Sequence, residues 1–171
     1  MGRGSSKASG GNSGKLLAIE KFGKESIGTN DVRITKKLNS DSAKDNPDFR
    51  LANEARAAGL GNNYGTYDVL ANDRNGEGDV RKRQEGILYK LGSRTYGISG
   101  GFEDDEFDED WRVTDLKTGM MVGSGKSLYR AKDAILLFND RTAHENIRKM
   151  VKTGEERFNN AKKRKGKMER V

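Results

Sequence analysis

The sequence predicts an α+β fold, with short antiparallel strands in the first two thirds of the chain and helices concentrated at the C-terminus. Two observations lead to this prediction. Between residues 15 and 124, short apolar segments alternate with polar residues at the period of half-buried strands, and glycine-containing turns separate them. From Ser127 onward, apolar residues recur at the spacing of amphipathic helices.

The first half contains short strands around one helix. Asn46 is a helix-capping residue, Pro47 suits the first helical position and Gly59 marks the end, so this segment is predicted to be helical. Residues 59–66 and 72–78 are rich in glycine and asparagine and are predicted to be loops. The strands expected in this half are 16–22, 32–38 and 67–71.

The sequence of the second half of the chain predicts two β-hairpins, each with a glycine in its turn. Glycine supplies the positive φ that a tight turn between antiparallel strands requires. The hairpins are 87–91 with 94–99 around Gly92 and Ser93, and 111–116 with 120–122 around Gly119.

Two helices are predicted after the hairpins. The first begins at the N-cap Ser127 and buries one apolar face, and the second runs over 142–152 and ends before Gly154. Residues 155–165 are compatible with a helix but offer only Phe158 and Ala161 as apolar anchors, so this segment is expected to be exposed or to be ordered by a partner.

The composition favours one domain with a modest core. Of the 171 residues, 32% are hydrophobic and 35% are charged, and 22 glycines interrupt the chain. The predicted organisation is a flexible Gly/Ser-rich leader at 1–14, an α+β domain at 15–152 and a basic C-terminal helix or tail at 153–171. A boundary within the domain near 72–86 is an open alternative.

The absence of cysteine excludes several classes of protein. Without cysteines the chain has no disulfide, no thiolate nucleophile and no cysteine-ligated zinc. It also has no apolar run of the ~18 residues that a membrane span requires, and no signal-peptide apolar stretch. The sequence therefore predicts a cytoplasmic protein without a membrane partner.

The positive charge is concentrated at the C-terminus. Residues 1–140 hold 22 basic and 22 acidic residues, whereas residues 141–171 hold 11 basic and 4 acidic ones, which is the whole net charge of +7. Clustered cations bind phosphates with release of counterions, so a polyanionic partner is expected, and a solvated tail is the alternative. The residues predicted here to bind nucleic acid are Arg148, Lys149, Lys152, Lys162, Lys163, Arg164, Lys165 and Lys167.

Residues 103–110 form an acidic block of seven carboxylates in eight positions. Repulsion and desolvation prevent its burial, so it is either a solvated loop or a docking element for a basic surface. An EF-hand calcium loop is disfavoured, because Glu109 stands where that loop needs glycine and Lys117 where it needs glutamate. The docking residues are Glu103, Asp104, Asp105, Glu106, Asp108, Glu109 and Asp110.

The sequence GSGKS at 123–127, followed by a helix containing A-K-x-x-A, resembles the end of a double-stranded-RNA-binding domain. With the preceding hairpin, the resemblance covers residues 111–138. It implies that the start of the helix faces phosphate. Leu128 and Tyr129 stand where the family has two lysines. The residues left to bind phosphate are Lys126, Arg130 and Lys132.

No enzyme is predicted, and neither a catalytic residue nor a cofactor is expected. The single histidine, His144, lies near a helix start, and no spacing selects two carboxylates for acid–base work. The segment 125–127 is not a nucleotide-binding P-loop, because Met120 stands where that motif needs glycine. A carboxylate-metal nuclease is the remaining catalytic alternative, and its residues are Asp104, Asp108, Asp110 and Lys126.

The Gly/Ser-rich opening MGRGSSKASGG and the small, charged, cysteine-free body resemble the accessory proteins of phages and other mobile elements. The resemblance implies an inhibitor of the anti-CRISPR type, which binds an RNA-guided nuclease or its nucleic acid in a bacterial host cell. We therefore expect a non-catalytic protein that binds nucleic acid or a nucleoprotein. The alternative is a direct DNA- or RNA-binding protein without an effector partner. The sequence makes no prediction of oligomeric state.

Overall fold

The computed structural model of the chain has an α+β fold and describes residues 23–42, 46–73, 78–100 and 110–163. The leader 1–14 and the predicted strand 16–22 lie outside these residues. Within them, eight strands belong to one sheet and three segments are helical. The strands are β1 (Lys24–Ile27), β2 (Asn30–Lys37), β3 (Asn63–Asp73), β4 (Gly78–Leu91), β5 (Arg94–Gly100), β6 (Trp111–Asp115), β7 (Met120–Gly125) and β8 (Lys162–Lys163), and the helices are α1 (Phe49–Ala57), α2 (Leu128–Arg141) and α3 (Glu145–Asn160).

The sheet is a meander in which β1 to β7 pair in chain order, each antiparallel to the next. Both predicted hairpins are confirmed, and their turn glycines, Gly92 and Gly119, have φ values of 63° and 67°. Strand β4 is long enough to take two partners on one side. Its last five residues pair with β5, and Val80 and Arg81 near its start pair in parallel with β8.

The sheet bends back on itself around a small inner core. The Leu70 amide of β3 donates to the Gly119 carbonyl in the β6–β7 turn at 2.7 Å. Tyr67, which is fully buried, lies inside this bend against Gly97, where a Cβ would lie only 2.3 Å from Tyr67 Cζ. The inner core consists of Val32, Tyr67, Leu88 and Leu116.

The larger core lies on the opposite face of the sheet, beneath the helices. Helix α2 begins as predicted, because Ser127 Oγ accepts a hydrogen bond from the Arg130 amide at 3.2 Å. Burial of apolar area between helices and sheet supplies most of the stabilisation in such a layered domain. The fully buried residues of this core include Ala55, Ile87, Tyr96, Ile98, Val113, Ala131 and Ile135.

Helix α1 is present where the sequence predicts a helix, but it begins at Phe49, later than Pro47. The Asn46 side chain accepts a hydrogen bond from the Asp48 amide at 3.1 Å, and the Asn46 carbonyl accepts one from the Phe49 amide at 3.3 Å. Asn46 therefore closes a turn ahead of the helix instead of capping it directly.

Strand β3 contains the predicted strand 67–71 and extends it at both ends into residues predicted to be loops, and β4 extends the predicted strand 87–91 back to Gly78. Asp68 and Arg83 are opposite each other in register, and Asp68 Oδ1 accepts a hydrogen bond from Arg83 Nη1 at 3.1 Å. Arg83 Nη2 donates to Thr66 Oγ1 at 2.9 Å. Because cross-strand partners satisfy these polar side chains, a polar run that is typical of a loop forms paired strands. Residues 72–86, where a domain boundary was an alternative, thus include the start of a strand that belongs to the common sheet.

Helix α3 corrects two predictions about the C-terminal segment. It continues through Gly154 to Asn160, and the segment that was expected to be exposed is anchored by Phe158, which is fully buried. A Cβ on Gly154 would lie 2.7 Å from Met120 Sδ, so this glycine packs closely against the Met120 side chain within the helix and does not end it. The helix crosses the predicted boundary at 152–153, which attaches the start of the basic segment to the folded domain.

Arg81 on β4 connects three distant parts of the chain. Its guanidinium is 4% exposed and donates to the Phe158 carbonyl from Nε at 3.1 Å and from Nη2 at 2.8 Å. It also donates to the Thr29 carbonyl at 3.0 Å and to Asp68 Oδ2 at 3.4 Å. Burial lowers the pKa of Arg81, and the Asp68 carboxylate opposes that change. Asn30 Nδ2 donates to the Asp68 carbonyl at 2.9 Å and completes the network.

A second buried ion pair fixes the β6–β7 turn. Asp115 is fully buried, and its Oδ2 accepts hydrogen bonds from Arg94 Nη2 at 2.7 Å and from Thr118 Oγ1 at 3.0 Å. Its Oδ1 accepts one from Arg94 Nε at 3.2 Å. Each buried carboxylate oxygen thus has a donor, which limits the desolvation penalty of the charge.

No helix among the described residues combines the length and the apolar character needed to cross a bilayer.

Replacing Arg81 tests whether its network organises the fold. We expect Arg81→Met to lower the free energy of unfolding by about 3–5 kcal/mol, because it removes the buried cation that binds the Phe158 and Thr29 carbonyls and Asp68 Oδ2, and Asp68 then keeps only Arg83 as its ion-pair partner. The control is Arg157→Met, which removes the exposed pair with Asp79 (2.8 Å) and is expected to cost about 1 kcal/mol or less. Urea unfolding measures both values, and equal losses would contradict the role assigned to Arg81.

Two buried tyrosines form a matched pair for a second test. The Tyr67 hydroxyl has no hydrogen-bond partner among the described residues, whereas the Tyr96 hydroxyl donates to Asn139 Oδ1 at 3.1 Å. We expect Tyr67→Phe to leave the stability unchanged or raised, and Tyr96→Phe to lower it by about 1 kcal/mol. A substantial loss of stability in Tyr67→Phe, measured by urea unfolding, would show that its hydroxyl is satisfied.

Tyr67 also makes the stability of the fold depend on pH. Burial raises the pKa of Tyr67 above its usual range, and the Ser99 side chain opposes the shift without reaching hydrogen-bonding geometry. Burial also raises the pKa of Tyr96 to about 12. Tyrosine ionises near pH ~10 in the unfolded chain, so the unfolded state releases protons first and stability falls as the pH rises further. Tyr67→Phe should therefore lose less stability than the wild type between about pH 9 and 11.

Candidate nucleic-acid and partner interfaces

The GSGKS turn joins β7 to α2 through close packing. A Cβ on Gly125 would lie 2.5 Å from Arg130 Cβ, and a Cβ on Gly123 would lie 2.7 Å from Ala134 Cβ. Both glycines thus allow the helix to approach the strand. Packing of the helix against the strand therefore explains both glycines of the motif that resembles an RNA-binding domain. Phosphate binding would be a second role of the same motif.

The three cations of this motif have different environments. Lys126 and Arg130 are exposed. Lys132 instead donates from Nζ to the Gly59 carbonyl at 3.1 Å and lies 4.9 Å from the centre of the Tyr89 ring. Lys132 therefore stabilises the end of α1, while Lys126 and Arg130 stay available for an outside partner.

Arg148, Lys149 and Lys152 are exposed on α3, where their spacing places them on one face. Glutamates share this face, however. Lys149 Nζ lies 3.6 Å from Glu145 Oε1, and the exposed Glu156 follows Lys152 by one turn. This face carries both basic and acidic side chains. It therefore attracts phosphate less strongly than a face with only these basic side chains would.

The densest basic run begins at β8. Lys162 pairs with Val80 and Lys163 with Arg81 across the parallel strands β8 and β4. The next cations of the run, Arg164, Lys165 and Lys167, lie outside the described residues. The run thus starts from a backbone position that the sheet holds, directly after α3.

The acidic block connects β5 to β6. Gly100 and Trp111 pair at the ends of these strands, so the connection leaves and re-enters the sheet at one edge of the hairpin. Asp110 is exposed. The other block residues, Glu103, Asp104, Asp105, Glu106, Asp108 and Glu109, lie outside the described residues.

An open apolar groove of about 220 Å³ lies between β7 and the helices α2 and α3. We name it the methionine groove, because three of the five methionines line it. Its lining has no carboxylate. The residues that line it include Met120, Met121, Val122, Arg141, Ile147 and Met150. The sequence did not indicate this groove, because methionine spacing alone does not show which helix face meets β7.

No group of three or more histidine or acidic side chains in the described part of the chain is arranged to hold a metal ion. His144 is the exposed N-cap of α3 and makes no capping hydrogen bond with its side chain.

The role of Lys132 can be tested by its effect on stability. Lys132→Met keeps the aliphatic chain and removes the contacts with Gly59 and Tyr89, so we expect a loss of about 1 kcal/mol in the free energy of unfolding. Lys126→Met at an exposed position is the control, with an expected change within about 0.5 kcal/mol. If urea unfolding gave the same stability for both variants, Lys132 would not have this structural role.

Comparison with family models, with curated proteins and with solved structures gave no match for this chain.

Proposed function

We propose that this protein is a non-catalytic binding protein whose basic C-terminal segment contacts the phosphates of a nucleic acid. The observation that carries the proposal is the attachment of this segment, since β8 holds Lys162 and Lys163 in register with β4. Cations that start from a fixed position lose less conformational entropy on meeting phosphates than cations on a free chain.

Exposed cations of the folded body support the same function. Arg148 and Lys152 are exposed on α3, the helix that leads into the basic run. The Lys149–Glu145 pair is also exposed, with side-chain exposures of 75% and 74%. Exposed pairs of this kind are weak, so Lys149 can exchange its partner for a phosphate. Contacts of this type are made to the phosphate backbone of a nucleic acid, and their affinity depends strongly on salt concentration.

The test compares two variants with the same net charge. In the tail variant, five cations of the basic run become glutamine, and in the control variant five exposed cations elsewhere become glutamine. The tail variant changes Lys162, Lys163, Arg164, Lys165 and Lys167. The control variant changes Lys24, Arg33, Lys37, Arg56 and Lys90.

Fluorescence anisotropy then measures binding to a labelled DNA duplex and to RNA of the same sequence, between about 50 and 300 mM salt. The tail variant is expected to bind at least about tenfold more weakly, with a clearly smaller salt slope, while the control variant stays within about threefold of the wild type. Equal losses in the two variants, or no binding at the lowest salt, would overturn the proposal.

Free nucleic acid and a nucleoprotein, including an RNA-guided nuclease, offer the same phosphates. Capture from a bacterial lysate on the immobilised protein, with and without nuclease treatment, separates these sources. Retention of a protein that nuclease treatment releases indicates a nucleoprotein held through its nucleic acid. Retention of nucleic acid alone indicates direct binding without an effector.

A further inference from the structure

Apolar side chains stay exposed around the methionine groove. Met121 is 61% exposed and Met150 is 53% exposed. Leu137, which is 53% exposed, precedes Arg141 by one turn of α2 and extends the apolar surface. Contiguous exposed apolar surface marks interaction sites, and methionine side chains adapt to partners of different shape.

The groove is pre-formed, because α3 is fixed against the sheet beside it. Val151, Gly154 and Phe158 on this helix are all buried. The Phe158 carbonyl also accepts a hydrogen bond from Arg81 Nη2 at 2.8 Å. A site whose walls are already in place loses little free energy to ordering when a partner binds.

The size and charge of the groove indicate what it binds. Its volume of about 220 Å³ is below the range of about 300–1,000 Å³ typical of small-molecule sites, which favours one or two apolar side chains of a partner. Arg141 in its lining is exposed and has no ion pair among the described residues. A cation with no carboxylate in the same lining is complementary to an acidic group on the partner.

We propose that the methionine groove binds a short, acidic, amphipathic segment of a protein partner. An apolar side chain of that segment enters the groove between Met121 and Met150, and a neighbouring carboxylate pairs with Arg141. This is the helix-in-groove type of recognition, in which apolar anchors supply affinity and flanking charges supply selectivity. The inference does not depend on the proposed binding of nucleic acid.

The test uses the full-length protein and two labelled synthetic peptides of about 16 residues, with leucines at the same helical spacing and either glutamate or lysine at the polar positions. The net charge of +7 attracts any acidic peptide, so matched variants are needed. Arg141→Glu is expected to weaken binding of the glutamate peptide at least about tenfold, while Lys90→Glu at an exposed position, which changes the net charge equally, stays within about twofold.

The apolar part of the site has its own matched pair. Met150→Asp in the groove is expected to weaken peptide binding at least about tenfold, whereas Leu136→Asp, at a residue of α2 that does not line the groove, has a small effect. Urea unfolding of each variant shows that the fold is retained. Because Met150 and Leu136 are both exposed, neither change should unfold the domain.

Three outcomes would overturn the proposal. The first is no binding of the glutamate peptide up to about 1 mM, or equal losses within each matched pair. The second is a loss of DNA binding in Arg141→Glu as large as the loss of peptide binding, which would assign the groove to a nucleic-acid surface. The third is a dimer in sedimentation that Met150→Asp dissociates, which would make a second copy of the chain the occupant.

Discussion

The buried guanidinium of Arg81 is the contact on which the arrangement of the other elements depends. It joins the β1–β2 turn at Thr29, strand β3 at Asp68 and the last turn of α3 at Phe158. A buried charge without these acceptors is destabilising by several kcal/mol, so the three elements must assemble together around it. Helix α3 owes its position to this contact, and both the methionine groove and the start of β8 follow from that position.

Close packing at glycine positions is the second constraint on how the elements are arranged. The bend of the sheet requires Gly97 beneath the Tyr67 ring, and the approach of α2 to β7 requires Gly125, where a Cβ would lie 2.8 Å from the Ala131 amide nitrogen. These contacts leave little freedom for the elements to slide. The two proposed binding surfaces therefore share one rigid support: the groove lies along α3, and the basic run leaves from its end. A nucleoprotein, which offers both a polypeptide and phosphates, would engage the two surfaces together.

Local signals predicted the elements that depend on neighbouring residues, and they failed where the deciding partner is distant. The hairpin turns and the cap at Ser127 are visible in short segments. Strand β4 was partly missed because its charged residues are satisfied by Asp68 on the neighbouring strand, which no local pattern shows. Gly154 looked like the end of a helix because its packing partner, Met120, lies far away in the chain. Among the candidate site residues, the sequence identified cations but did not distinguish Lys132, which is engaged within the fold, from the exposed Lys126.

The distance along the chain between Arg81 and Phe158 has a consequence for synthesis on the ribosome. The hairpins of the meander form from neighbouring segments, but Arg81 meets the Phe158 carbonyl only after 77 further residues have been made. During that interval the first half of β4 lacks β8 on one side. An unpaired edge can join the strand of another nascent chain, so this stage of synthesis is the one most exposed to misassembly. Docking of α3 and β8 shortens that exposed edge by pairing Val80 and Arg81.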